Sequence, residues 1–79
     1  MQGEKQVGQG PKDGAPKVSD FLKRGNFVSV GARTGTDLAG YVCDRDETGL
    51  LLDVRHQNGE HASYEYLPWV SIERVSLED

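Results

Sequence analysis

Asn26-Phe27-Val28-Ser29-Val30-Gly31-Ala32-Arg33-Thr34-Gly35-Thr36-Asp37-Leu38-Ala39-Gly40-Tyr41-Val42 is the stretch that decides the fold. Val28, Val30 and Ala32 alternate with Phe27, Ser29, Gly31 and Arg33, and this period of two predicts a strand with one apolar face. Thr34-Gly35 supplies a tight turn into a second run, Thr36 to Asp46, eleven residues long. Such a run exceeds the usual strand length, and Gly40 near its middle is where a long strand can bend between two layers. A strand bent in this way predicts a small closed barrel.

The flanking sequence extends the pattern in both directions. Glu47-Thr48-Gly49 is a turn, Leu50 to His56 a third strand, and Asn58-Gly59 between two strand-like runs is the strongest hairpin signal in the chain. His61 to Leu67 reads as a fourth strand. Pro68, which has no N–H to give a ladder, marks a corner before a last strand from Val70 to Ser76. Upstream, Ser19 is a good N-cap, Asp20 suits a first turn, and Gly25 suits a helix stop. One short helical turn is expected, with Phe21 and Leu22 docked on the strands because so short a helix does not stand alone. The expected class is mainly β: a short N-terminal helix, then five antiparallel strands in a small, strongly bent barrel.

Residues 1–18 hold four of the ten glycines and two of the three prolines, which predicts a flexible tail ahead of a barrel domain at 19–79. The whole chain of 79 residues has a formal net charge of −4; the tail carries +1, so −5 falls on the remainder. This balance argues against a general polyanion binder. Hydrophobic residues are only 35% of the chain, and a core of this size yields only a few kcal/mol of net stability, about 3–5. A partner subunit is the expected supplement. The single Cys43 excludes an intrachain disulfide, and neither a signal-peptide core nor a membrane-spanning apolar run is present in the sequence. A cytoplasmic location with no membrane association is expected.

No chemistry-bearing motif survives its own requirements. Asp44-Arg45-Asp46-Glu47-Thr48-Gly49 resembles the start of a calcium loop, but the twelfth position, which needs a bidentate carboxylate, is Arg55. The same hexapeptide resembles the aspartyl-nucleophile motif of haloacid dehalogenase phosphatases, whose chemistry needs a parallel sheet and further acids that a chain of this length does not supply. An acidic turn between strands is the simpler reading. His56 and His61 flank the hairpin without a third metal ligand, and no base is spaced to activate Cys43. No enzyme, no metal and no cofactor is expected. Tyr64, Tyr66 and Trp69 cluster around Pro68, where aromatic residues serve a core, a subunit contact or a ligand platform.

Taken together, Val28-Ser29-Val30, Gly35, Gly40-Tyr41-Val42, Asp46 and Leu50-Leu51-Leu52 resemble the first sequence block of Sm-like proteins, with the spacing of the bacterial Hfq branch. Tyr66-Leu67-Pro68-Trp69-Val70-Ser71-Ile72 resembles the second, shorter block. The resemblance implies rings of six or seven copies in which the fourth strand of one subunit pairs with the fifth of the next. It implies subunit contacts at His61, Ser63, Tyr64, Tyr66, Val70 and Ile72. It further implies binding of short single-stranded RNA around the pore, by Glu47, Thr48, Pro68 and Trp69, with Lys23, Arg24 and Arg45 offsetting phosphate charge. The chain departs from the family at four places: Glu47-Thr48 stands where a Gln with an aromatic, or His-Met-Asn, is usual, Leu67-Pro68 where Lys-His or Arg-Gly is usual, Gly31 where the Hfq branch has an aromatic for adenine stacking, and the helix is several residues shorter, leaving Lys23 and Arg24 at the rim. These departures give two alternative expectations: a ring that acts as a scaffold for a protein partner, or a monomeric barrel that binds a peptide in a groove of Tyr64, Tyr66 and Trp69.

Overall fold

The two-residue period of the first strand puts Val28 and Val30 on one face of a sheet, where both are fully buried. The computed structural model describes residues 10–78. Residues 10–17 are exposed and join no helix or strand; the rest of the expected tail, residues 1–9, and Asp79 lie outside the described residues. The elements are α1 (Val18–Phe21), β1 (Phe27–Ala32), β2 (Asp37–Arg45), β3 (Gly49–Arg55), β4 (His61–Pro68), a 3-10 turn (Trp69–Ser71) and β5 (Ile72–Leu77).

All five strands belong to one antiparallel sheet in the order β4-β3-β2-β1-β5. The sheet is not closed, because β4 and β5 are its two outer strands. Val28, Val30, Val42, Leu50, Leu52, Val54 and Leu67 form the buried core, and removing each such side chain from water contributes roughly 1.5–3 kcal/mol. Six of the seven sit on β1, β2 and β3; β4 gives only Leu67. Ile72, Val75 and Leu77 of β5 are half-buried against the cluster, as is Trp69.

Two glycines fit their backbone surroundings closely. Gly40 faces Val54 in the β2–β3 ladder, and a Cβ there would stand 2.1 Å from the Asp53 carbonyl oxygen, so only a hydrogen permits this approach of two strands. Gly59 of the β3–β4 hairpin has φ of +91°, the conformation the Asn-Gly signal predicts. Register shifts between Val42 and Asp44, Val54 and Arg55, and Gly31 and Ala32 break the ladders, and bulges of this kind increase local twist.

Three boundaries differ from expectation. Helix α1 begins at Val18 with Lys17 at its N-cap and no side-chain cap; Ser19 lies inside the helix, because the Lys17 carbonyl already accepts the Asp20 and Phe21 amides. β4 runs on through Pro68, which faces Gly49 at the end of its ladder. The corner after it is a 3-10 turn, so the last strand starts at Ile72 rather than Val70. Among the described residues no helix is long and apolar enough to cross a membrane.

Gly40→Ala should cost about 1–3 kcal/mol or more, since the added methyl must push two backbones apart. A urea melt of the variant that superimposes on the parent melt would contradict this packing.

Candidate nucleic-acid interface

The seven residues expected to meet RNA lie in the loop after α1 (Lys23, Arg24), at the end of β2 (Arg45), in the β2–β3 turn (Glu47, Thr48), at the end of β4 (Pro68) and in the 3-10 turn after it (Trp69), and the structure brings these segments to one end of the sheet. Arg45, at the end of β2, donates from Nε to the Leu22 carbonyl (3.2 Å) and from Nη2 to the Ser19 carbonyl (3.4 Å). Arg24 donates from Nη1 to the Cys43 carbonyl (3.1 Å). Lys23, between Leu22 and Arg24, is exposed. Three cations therefore border the α1–β2 junction, two of them oriented by main-chain oxygens.

On the other side of the same turn, the Trp69 indole Nε1 donates to the Asp46 carbonyl (2.8 Å) and the Trp69 amide to the Thr48 carbonyl (3.2 Å). The Thr48 hydroxyl also shares a hydrogen bond with the Tyr66 hydroxyl. The turn is thus held from both flanks, by Arg45 through α1 and by Trp69 from the corner. Inside it the Asp46 carboxylate accepts the Thr48 hydroxyl (2.6 Å) and the amides of Thr48 (2.8 Å) and Gly49 (3.1 Å). A carboxylate with three donors is stabilised in its charged form. The Thr48 hydroxyl first, then the two amides, hold the Asp46 pKa below the ordinary aspartate value.

A cavity of about 160 Å³ opens beside the turn, lined by Asp44, Arg45, Asp46, Gly49, Leu51 and Tyr66. Asp44, Asp46 and Glu47 are exposed there, so the carboxylates equal Lys23, Arg24 and Arg45 in number. Base-stacking capacity at this end is limited. Trp69 is half-buried against the core with its N–H engaged, while Tyr66 is 51% exposed.

The residues expected at subunit contacts divide between the two sheet edges. His61, Ser63, Tyr64 and Tyr66 lie on β4, Ile72 begins β5, and Val70 stands in the turn between them, 77% exposed. Tyr64 faces Asp53 across the ladder, and Asp53 faces Tyr41, which faces Phe27. This row occupies the sheet face opposite the core. Arg55 grips Asp53 with two donors (3.1 and 2.8 Å) while lying 5.0 Å over the Tyr41 ring. The His61 Nδ1 is 2.6 Å from the same carboxylate. Arg55 foremost, and His61 after it, lower the Asp53 pKa, and the Asp53 carboxylate raises that of Arg55. Tyr64 and Tyr66 are exposed on β4, and the Tyr66 hydroxyl and the Trp69 indole both reach the β2–β3 turn.

Sequence reading missed two residues that shape this end. Asn26 donates from Nδ2 to the carbonyls of Asp20 (2.6 Å) and Phe21 (3.0 Å), tying α1 to the start of β1. Arg33 donates from Nε to the Val70 carbonyl (2.6 Å) and from its amide to the Ser71 carbonyl (2.9 Å), fixing the corner against the β1–β2 turn. The Asn26 bonds reach back only five and six residues but follow no helix or turn period, and the Arg33 bonds span 37 residues and more, so neither residue type announces its partner. Among the described residues, no group of three or more His, Cys, Asp or Glu could hold a metal ion. Comparison with family models, characterised proteins and solved structures gave no match to this chain.

The depressed Asp46 pKa fixes the sign of an acid effect. Its contribution is full above the unfolded-state value of about 3.9 and is lost as pH falls through the lower folded value. The Thr48 amide should therefore keep its native chemical shift down to pH 4 and move only below it. A midpoint above pH 4 would contradict the three-donor turn.

Proposed function

We propose that this chain is the subunit of an Sm-like homo-oligomeric ring, six or seven copies around a pore, that takes short single-stranded RNA across the end bearing the β2–β3 turn. The observation that carries this reading is the strand order. One open sheet leaves β4 and β5 as outer strands, each with one side of its backbone unmatched, and pairing β4 of one copy with β5 of the next covers both edges and closes the assembly. The two edges are suited to it: β5 offers the half-buried Ile72, Val75 and Leu77, and β4 ends on the buried Leu67. Repetition around a ring would gather Lys23, Arg24 and Arg45 of every copy on one side.

A second reading, the ring as a scaffold for a protein partner, is favoured by one observation. The cations of this end are matched in number by Asp44, Asp46 and Glu47, and two of them already donate to main-chain oxygens. Native mass spectrometry of the full chain with a mixture of uridine-rich and adenine-rich oligonucleotides separates the readings. A hexamer or heptamer carrying RNA is expected. A bare ring would favour the scaffold, and a monomer would remove the ring altogether.

Lys23→Glu with Arg24→Glu should weaken RNA binding at least tenfold and flatten its salt dependence; unchanged affinity would take α1 out of the interface. Ile72 packs against the core, so its substitution confounds folding with assembly. Val70→Asp is the cleaner probe and should give smaller assemblies with the circular dichroism of the parent. An intact ring would place Val70 outside the seam.

A further inference from the structure

The geometry points to a latch: Arg45 holds α1 in place, and an anionic phosphate that recruits the Arg45 guanidinium releases α1 from the sheet. The inference rests on the RNA reading of this end and adds its regulation. Helix α1 has four residues, too few to persist on its own. Its apolar anchors are the half-buried Phe21 and Leu22, while Val18 is exposed. The rest of its attachment is polar and comes from two side chains. Asn26 takes the Asp20 and Phe21 carbonyls, and Arg45 takes those of Leu22 and Ser19. The Asp20 carbonyl also accepts the Lys23 amide, while the other three lie at the C-terminal end, where a helix leaves carbonyls unpaired.

Arg45 is therefore claimed by two negative partners. The carbonyls of α1 occupy Nε and Nη2, which form one of the two paired edges a guanidinium offers to a phosphate. An anion brought to this exposed arginine also meets the negative end of α1 at short range. Both sets of bonds use the charged guanidinium, but a phosphate adds a full negative charge where a carbonyl offers only a dipole, so an anion seated on the Nε–Nη2 edge displaces the carbonyls and they lose their donor. Linkage makes the effect reciprocal: whatever loosens α1 must strengthen phosphate binding by the same factor. Asn26 provides a way to loosen α1 without touching Arg45.

The test is amide hydrogen exchange on the full chain, with and without a saturating short single-stranded oligonucleotide. The Phe21 and Leu22 amides, which bond to the Lys17 and Val18 carbonyls, report on α1; the Val42 amide, bonded to the Asn26 carbonyl, reports on the sheet edge beneath it. Protection at Phe21 and Leu22 should fall at least tenfold on binding, with Val42 unchanged. Asn26→Ala should bind the same oligonucleotide several-fold more tightly, and Arg45→Gln should show α1 already unprotected and insensitive to ligand. Binding that leaves Phe21 and Leu22 protected overturns the latch and leaves the RNA reading intact, as does an unchanged affinity in Asn26→Ala. Binding seen only in Asn26→Ala supports the latch while showing that the docked helix blocks the site. Absence of binding in both proteins overturns the latch and the RNA reading together.

Discussion

The size of the core constrains everything else in this chain. Among the described residues seven side chains are buried, and six of them come from the three central strands. The outer strands are consequently held by ladders and by half-buried residues rather than by a closed interior. Burial of this extent leaves a domain near the lower limit at which one core suffices. An assembly that covers β4 and β5 would add apolar contacts where the subunit has fewest.

The same economy explains how the candidate end is built. With little apolar surface to spare, the short helix, the β2–β3 turn and the corner after β4 are secured by side chains that donate to main-chain oxygens: Arg24, Asn26, Arg33, Arg45 and Trp69. Together they bond main-chain carbonyls at helix, turn and strand ends, where the backbone ladders stop; of these the Asp20 carbonyl also accepts the Lys23 amide. The arrangement has a functional cost, because cations used in this way are available to a ligand only in competition with the fold. That competition separates the behaviour of Arg45 from that of Lys23, which is exposed on the same junction.

Much of the fold was legible because it follows from short-range rules. Alternation from Phe27 to Ala32 and the Asn58-Gly59 turn each place a backbone feature from neighbouring residues alone, whereas the close approach of Gly40 to Asp53 depends on the pairing of two strands. Ser19 was misread as a cap because its residue type favours that role, while the helix is fixed by the Lys17 carbonyl instead. The corner that Pro68 announces extends through Ser71, two residues into the expected strand, because a 3-10 turn of three residues has too short a period to show in sequence. Of the site, residue types and neighbourhood were legible, but the partners were not: the Arg33 bond to Val70 spans 37 residues, and the Asn26 bonds, though only five and six residues long, depend on how the loop after α1 folds back. Closure of the sheet was expected from Gly40, yet a strand bend does not by itself bring β4 and β5 together.

The claim that the two open edges cover each other between copies has a direct test in amide exchange of the alternate β4 and β5 residues that do not bond to β3 and β1. Pairing between copies predicts that these amides exchange as slowly as those within the ladders, at concentrations where the protein is assembled. Fast exchange at every second residue of both strands, with the mass of a single chain, would contradict it.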